Sequence, residues 1–399
     1  MLPRVKIEFA NGALGQVAVS PDGVFGLLTT AAPVNEKLEL LKSYVVKSMD
    51  DVTNTLGVTE ANNPGLHKVL TEFYNTAGDG TELWLRCFAE TVTLTEMATL
   101  ATTNGIRNLL QDANGRLRGV FIHRTPASGY SATIAGGLDG DVATAIAAAQ
   151  LTADWSSETL KAPIFIMVAG LYYTGDPIEL TDLTTGNQNR LGVMIGDTVS
   201  GNGCAIGILA GRLAKMPVQR NIGRVKDGAV ITLTSAYLGN IKAELADAGS
   251  VHDKGYITFR MHTGRSGYYF TDDPLATLPT DDYNHLTARR TVDKAYRLAY
   301  GAMLNELLEE IPVSDEGKVS VSFAKGLETL AENAVINSMT VNGELGNDPE
   351  NQNDTGVECL VDTNQNIVAT GFLKVGLRVK PYGYARYINV ELGFKTISQ

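Results

Sequence analysis

The chain opens on an alternation, with Val5, Ile7 and Phe9 on one face and Lys6 and Glu8 on the other, closed by the turn pair Asn11-Gly12. That two-residue period predicts a half-buried strand. A second extended run over residues 16–30 is interrupted by Pro21-Asp22-Gly23. Leu66, Val69, Leu70 and Phe73 then recur at helical spacing behind Pro64, and Gly78-Asp79-Gly80 closes this helix ahead of a strand over 83–88. Helix and strand signals alternate from there. A helix is predicted over 95–111, a strand over 120–123, an alanine-rich helix over 141–155, and apolar strands over 164–169 and 191–195. The last run leads into Gly201-Asn202-Gly203 and a helix through Leu213. Strands separated by helices predict a layered α/β domain around a largely parallel sheet.

The C-terminal part has a different pattern. Asp281 and Asp282 favour a helix start, and a long helix is predicted to about Glu310 with Leu286, Val292, Ala295, Ala299, Ala302, Met303 and Leu307 on one face. Pro312 stops it, and a second helix over 323–339 groups Leu327, Leu330, Ala334 and Val335. Residues 342–356, rich in Asn, Gly and acidic side chains, read as a solvated loop. Ile367, Ala369, Leu373, Val375, Leu377 and Val379 then keep a two-residue period. After Pro381-Tyr382-Gly383, Ile388, Val390, Leu392 and Phe394 alternate with Asn389, Glu391, Gly393 and Lys395. These are two amphipathic strands. The predicted fold class is α/β and α+β. A layered α/β domain over 21–280 precedes a C-terminal α+β domain over 281–380 with a long helix and mixed sheet, and strand arms occupy 1–20 and 381–399.

Composition narrows the function. Of 399 residues 44% are hydrophobic and 19% charged, the balance of a folded chain. A formal net charge of -11, from 44 acidic against 33 basic side chains, repels phosphate backbones and argues against direct nucleic-acid binding. The N-terminus carries no secretory pattern, and the apolar stretch 162–173 is interrupted by Pro163 and Gly170 and too short to span a bilayer. Synthesis in the cytoplasm without membrane insertion is the expectation. Cys87, Cys204 and Cys359 lie too far apart for zinc-type spacing, and an odd count speaks against a disulfide framework, so they read as free thiols. His67, His123, His252, His262 and His285 show no metal-ligand spacing, and Asp139-Gly140-Asp141 reads as a helix cap rather than a calcium loop. No metal, cofactor or catalytic group is predicted. One enzymatic alternative stands: Gly201, Gly203 and Gly207, after an apolar strand and at a helix start, suit the phosphate loop of a nucleotide-binding α/β enzyme, although loop geometry and close helix packing account for them equally well.

Amphipathic strands at both chain ends need a sheet edge to pair with, in their own chain or a neighbour's. Strand addition to a second subunit supplies affinity through backbone hydrogen bonds and register through alternate side chains. Val5, Ile7 and Phe9 at one end and Ile388, Val390, Leu392 and Phe394 at the other are the candidate contact positions.

The order of elements resembles single-chain contractile tail sheath proteins along most of the chain. Several blocks carry the resemblance: Gly23-Val24-Phe25-Gly26; Ser48-Met49-Asp50-Asp51-Val52 through Leu56-Gly57; Leu66 to Phe73 with its glycine turn and the strand closing on Arg86; Gly207-Ile208-Leu209-Ala210-Gly211-Arg212; and Ala288-Arg289-Arg290. The prolines usual around the middle block are reduced to Pro217, and Gly267-Tyr268-Tyr269-Phe270-Thr271 stands where sheaths carry a Trp-Gly-x-Arg-Thr-like block. The resemblance implies a structural, non-enzymatic protein: a helical homopolymer of stacked hexameric rings around an inner tube protein, attached to baseplate and terminator proteins in a phage tail or injection particle. It also implies an outer α/β domain, an inner C-terminal domain, terminal arms donated to neighbouring sheets, and contraction that drives the tube through a target envelope. Arg212, Arg289 and Arg290 are then candidate interface charges; solvated or intrachain pairing of the last two with Asp281, Asp282 or Asp293 is the alternative.

Overall fold

The computed structural model describes residues 21–230 and 234–392. The chain divides into two units, one running to Tyr300 and the other starting at Gly301. In the first, Phe25–Thr30 (β1), Ser43–Val46 (β2), Leu83–Phe88 (β3), Gly119–Ile122 (β4), Phe165–Ala169 (β5) and Leu191–Met194 (β6) form one sheet in the order β2-β3-β1-β4-β5-β6. All neighbours are parallel except the β2–β3 edge pair. β1, β4, β5 and β6 are buried along their whole length, which is why they read as unbroken apolar runs and not as alternations. Phe25, Phe121 and Phe165 meet edge to face, with ring centroids 5.3, 5.6 and 6.1 Å apart. Gly119 leaves room for this cluster, since a Cβ there would overlap the Phe165 ring.

Helices Pro64–Ala77 (α1), Leu94–Ala98 (α2), Ile106–Asp112 (α3), Gly140–Glu158 (α4) and Ile206–Lys215 (α5) cover the sheet, with α1 packed on α5 and α2 on α4. The expected helix over 95–111 is in fact two. Thr99 is extended, Asn104 has φ +55, and the Thr99 and Thr102 hydroxyls donate to the Thr95 and Glu96 carbonyls. Hydroxyls competing for the backbone win over apolar spacing here. Short α2 is capped twice over: Thr93 and Glu96 form a capping box, and the Asp141 carboxylate accepts from Leu94 N (2.6 Å) and Thr95 N (3.0 Å). Asp139 in turn accepts from Asp141 N at the head of α4.

Helix Leu286–Leu304 (α6) ends earlier than expected. Leu308 takes φ +69, and the acidic run Glu309-Glu310 opposes the dipole of a helix C-terminus. Its start differs as well: the cap comes from Asp273, whose carboxylate accepts from Thr287 N at 2.8 Å, whereas Asp281 accepts from Tyr283 N.

The second unit contains Val321–Val335 (α7), continued by a π-helical turn over Ile336–Thr340, then Val357–Val361 (β7), Ile367–Thr370 (α8) and Val375–Val379 (β8). β7 and β8 pair antiparallel, Val357 opposite Val379 and Val361 opposite Val375, so the sheet expected to be mixed is an antiparallel pair among the described residues. Val319, Ala324, Leu327 and Val361 form its small core. The two-residue period read from Ile367 onward begins as a helical turn: Asn366 accepts from Ala369 N, and Gly371 takes φ +61. A local cap at each end overrides the alternation. Neither β2 nor β7 was legible from the pattern.

Candidate assembly surfaces and charge clusters

Val5, Ile7, Phe9 and Phe394 lie outside the described residues. Ile388, Val390 and Leu392 lie within them, in a segment that joins no helix or strand of the described residues. They are 77%, 79% and 94% exposed. The strand expected there is therefore not paired within the described chain, and three large apolar side chains at alternate positions face solvent.

The second unit also has an apolar groove of about 740 Å³. Phe323, Leu327 and Val375 contribute to its floor, and the exposed Leu307, Leu308 and Phe372 to its rim. It forms because α6 stops at Leu304 and α8 at Thr370, so that the residues following each helix turn out with their apolar side chains uncovered.

The candidate interface arginines all belong to the first unit. Arg289 is buried: its Nη2 lies 2.9 Å from Asp293 Oδ1, and its guanidinium stacks 4.1 Å from the centre of the Tyr283 ring. Asp293 is shared with Arg190, at 3.0 Å. Burial draws the Arg289 guanidinium below the usual arginine range, against the pull of Asp293. Arg290 is buried too, and its Nη2 donates to the carbonyls of Leu213 (3.2 Å) and Met216 (3.1 Å) at the C-terminal end of α5. A guanidinium there satisfies carbonyls that the helix leaves open and suits its dipole. Arg212 is half-buried, and its Nη2 donates to Gly228 O at 3.3 Å.

The glycines behind the nucleotide-binding alternative have another use. Gly207 and Gly211 lie on α5 where it crosses α1. A Cβ on Gly207 would fall on the Val69 carbonyl, and one on Gly211 on the Phe73 carbonyl (2.7 Å) and Thr76. A Cβ on Gly203 would collide with the Asp197 carboxylate. The spacing serves close helix contact and a tight turn, and that alternative is set aside. Sequence spacing also hid a grouping: Asp272, Asp273 and His285 bring their ligand atoms within 4.8 Å of one another. Asp273 and His285 face each other at 3.3 Å, and the Asn221 amide donates to both carboxylates. Burial raises the Asp273 carboxyl above its ordinary range, while His285 lowers it. No helix among the described residues is long and apolar enough to cross a membrane.

The architecture is that of contractile injection system sheath structures. The chain is similar to the helical sheath of the anti-feeding prophage in its contracted state, at 14% identity and TM-score 0.64 over 98% of this chain and 99% of that one. It is similar to a chain of the six-fold symmetrised baseplate of the same particle, at 14% identity and TM-score 0.63 over 99% of each. The contracted PVC sheath complex of an extracellular contractile injection system follows at 13% identity and TM-score 0.59, over 98% of this chain and 97% of that one. At the level of the fold, this agrees with the resemblance to contractile tail sheath proteins. No curated protein matches by sequence. The chain belongs to the DUF2586 family: the N-terminal domain of that family matches residues 2–274 and its C-terminal domain residues 282–398.

Proposed function

We propose that this chain is the sheath subunit of a contractile injection particle, a structural protein that polymerises and performs no reaction. The observation that carries this reading is the exposed alternation Ile388-Val390-Leu392 at the end of a chain with the sheath fold. An apolar strand left in solvent is unfavourable by about 25 cal/mol per Å² of buriable surface, and a sheet edge of a second copy removes that penalty. Five or six added backbone hydrogen bonds, at about 1 kcal/mol each, give one such link several kcal/mol.

In this reading residues 1–20 and 381–399 act as arms donated to neighbouring copies, with Val5, Ile7, Phe9 and Phe394 completing the apolar faces. Residues 21–280 form the outer domain and 281–380 the domain that meets an inner tube. Stacked hexameric rings anchored on a baseplate and closed by a terminator protein shorten by rigid-body rotation of subunits while the arms hold. Synthesis is cytoplasmic. Arg212, which keeps contact with solvent, is the interface charge; Arg289 and Arg290 act inside the subunit that carries them.

Electron microscopy of the purified full chain tests the proposal against two truncations. Full-length protein is expected to form hollow striated tubes. Deleting residues 1–10, or truncating after Pro381, is expected to leave a folded monomer that forms none. Normal tubes from either truncation would overturn arm exchange. A full chain that stays monomeric with both ends folded onto itself would overturn the sheath reading.

A further inference from the structure

One polar cleft of the first unit is used by nothing described so far. It encloses about 620 Å³ and is lined by Lys68 and Glu72 of α1 and by Thr198, with Glu60 and His67 among its walls. Lys68 Nζ lies 2.7 Å from Glu72 Oε1 and 2.6 Å from Asp197 Oδ1. Thr198 donates to the same oxygens, through its hydroxyl to Glu72 (3.2 Å) and through its amide to Asp197 (2.7 Å). Glu72 is only 9% exposed, and its other oxygen, Oε2, is buried with no hydrogen-bond partner among the described residues. Two carboxylates thus share one ammonium, and Glu72, which lines a cavity large enough for a side chain or a small molecule, keeps one buried oxygen without a hydrogen-bond partner among the described residues.

We propose that this cleft binds a cation bearing N–H donors, a primary ammonium or a guanidinium group, which pairs with Glu72 Oε2 and balances the second carboxylate. The inference goes beyond the sheath reading and does not depend on it. Two sources share this chemistry: a free amine, and a lysine or arginine side chain of another copy in a polymer. A carboxylate with one oxygen held by Lys68 and Thr198 is preorganised to receive the second cation in a fixed direction.

The charge state of Glu72 makes binding depend on pH. Burial pushes its carboxyl up to about 7, outweighing Lys68, which lowers it. Lys68 is itself held charged by Glu72 and Asp197, against burial. The other ionisable groups facing the site are His67 and Glu60 in its wall, the Cys204 thiol, which burial pushes up, and His123, which burial and then Lys68 hold down at about 3. An arriving cation displaces the Glu72 proton. Affinity therefore rises by up to about tenfold per pH unit on the way to 7 and levels off above it.

The test titrates the full-length chain with agmatine, which carries both head groups, against sodium chloride of equal ionic strength, followed by calorimetry and by melting temperature at pH 5.5, 7 and 8. Saturable binding with proton release below pH 7 is expected, weakened at least about tenfold by Glu72→Gln and by Asp197→Asn. Glu72→Gln is expected to melt no lower than the parent at pH 8, because the carboxylate it removes is one that burial disfavours. If the chain assembles, a second arm images the polymer. A lysine or arginine nitrogen of another copy within hydrogen-bond distance of Glu72 Oε2 supports the site and assigns the source to the lattice. Agmatine binding with no such side chain in the polymer supports it and assigns the source to a free amine. Equal agmatine responses in the parent and Glu72→Gln overturn the proposal. So does a chain that takes up no agmatine and whose polymer, or free form, holds no cation at Glu72.

Discussion

The two units spend their apolar and charged residues in opposite ways. In the first, charge is turned inward: Arg289 and Arg190 close on Asp293, Arg290 caps α5, and Lys294 and Arg297 close on Asp22. In the second, a core built on Val319, Ala324, Leu327 and Val361 is small, and Leu307, Leu308, Val368 and Phe372 are left in solvent. Buried ion pairs demand a fixed frame, because each member is costly once its partner is removed. Exposed apolar patches demand something to cover them. The first unit holds buried charge in fixed internal pairs, and the second leaves an apolar groove uncovered beside a small core. Under the proposed function, that is the division of labour a polymerising subunit requires.

The hardest way to break this comparison is to open the inward charge. Asp293→Ala leaves the buried Arg289 guanidinium and the partly buried Arg190 guanidinium facing each other without their shared carboxylate. The loss is expected to be about 3–5 kcal/mol in chemical denaturation, a large part of the stability of a typical domain. A loss under about 1 kcal/mol would mean that the arginines reach water, and the inward charge of the first unit would then not depend on a fixed frame.

Helix contact comes next. Gly211→Val drives two methyl groups against the Phe73 carbonyl and Thr76, and the expected loss is about 1–3 kcal/mol, with α1 displaced from α5. Gly301→Val is the paired control, since a Cβ there meets nothing within 4 Å. Valine is a better helix former than the glycine it replaces, so stability there is expected to stay unchanged or to rise by ~0.3 kcal/mol. Equal losses at the two positions would show that the glycines matter for backbone freedom and not for approach.

How far these features were legible follows from the range of the forces involved. The parallel sheet could be read because strands buried on both faces must be apolar throughout, as in Phe165–Ala169. β2 could not, since its four residues at a sheet edge lack a long enough pattern. The turn at Ile367–Thr370 mimicked a strand because a single helical turn holds too few residues to show its period, although Asn366 and Gly371 were there to signal its caps. Arg289 and Arg290 were visible as a pair, and Asp293, four residues on, as an intrachain partner of Arg289; but Arg190, which shares that carboxylate, and the Leu213 carbonyl that Arg290 reaches are remote in sequence, and only the fold brings them together. Lys68 and Asp197 are separated in the same way, so the cleft they form left no mark on the pattern.

The smallest effect sharpens the comparison most. Leu308 is 96% exposed and holds φ +69, a backbone region that disfavours leucine and that asparagine tolerates well. Leu308→Asn removes almost no buried surface and relieves a strained residue, so stability is expected to stay within about 0.5 kcal/mol of the parent or to rise slightly. The isolated chain thus derives nothing from this leucine. If the groove edge is a contact between molecules, the same substitution should lower the fraction of protein sedimenting as polymer while the melting curve of dissociated protein stays in place. A drop in melting temperature instead would mean that Leu308 packs within its own chain. The second unit would then bury its apolar residues as the first does, and the contrast between the two would disappear.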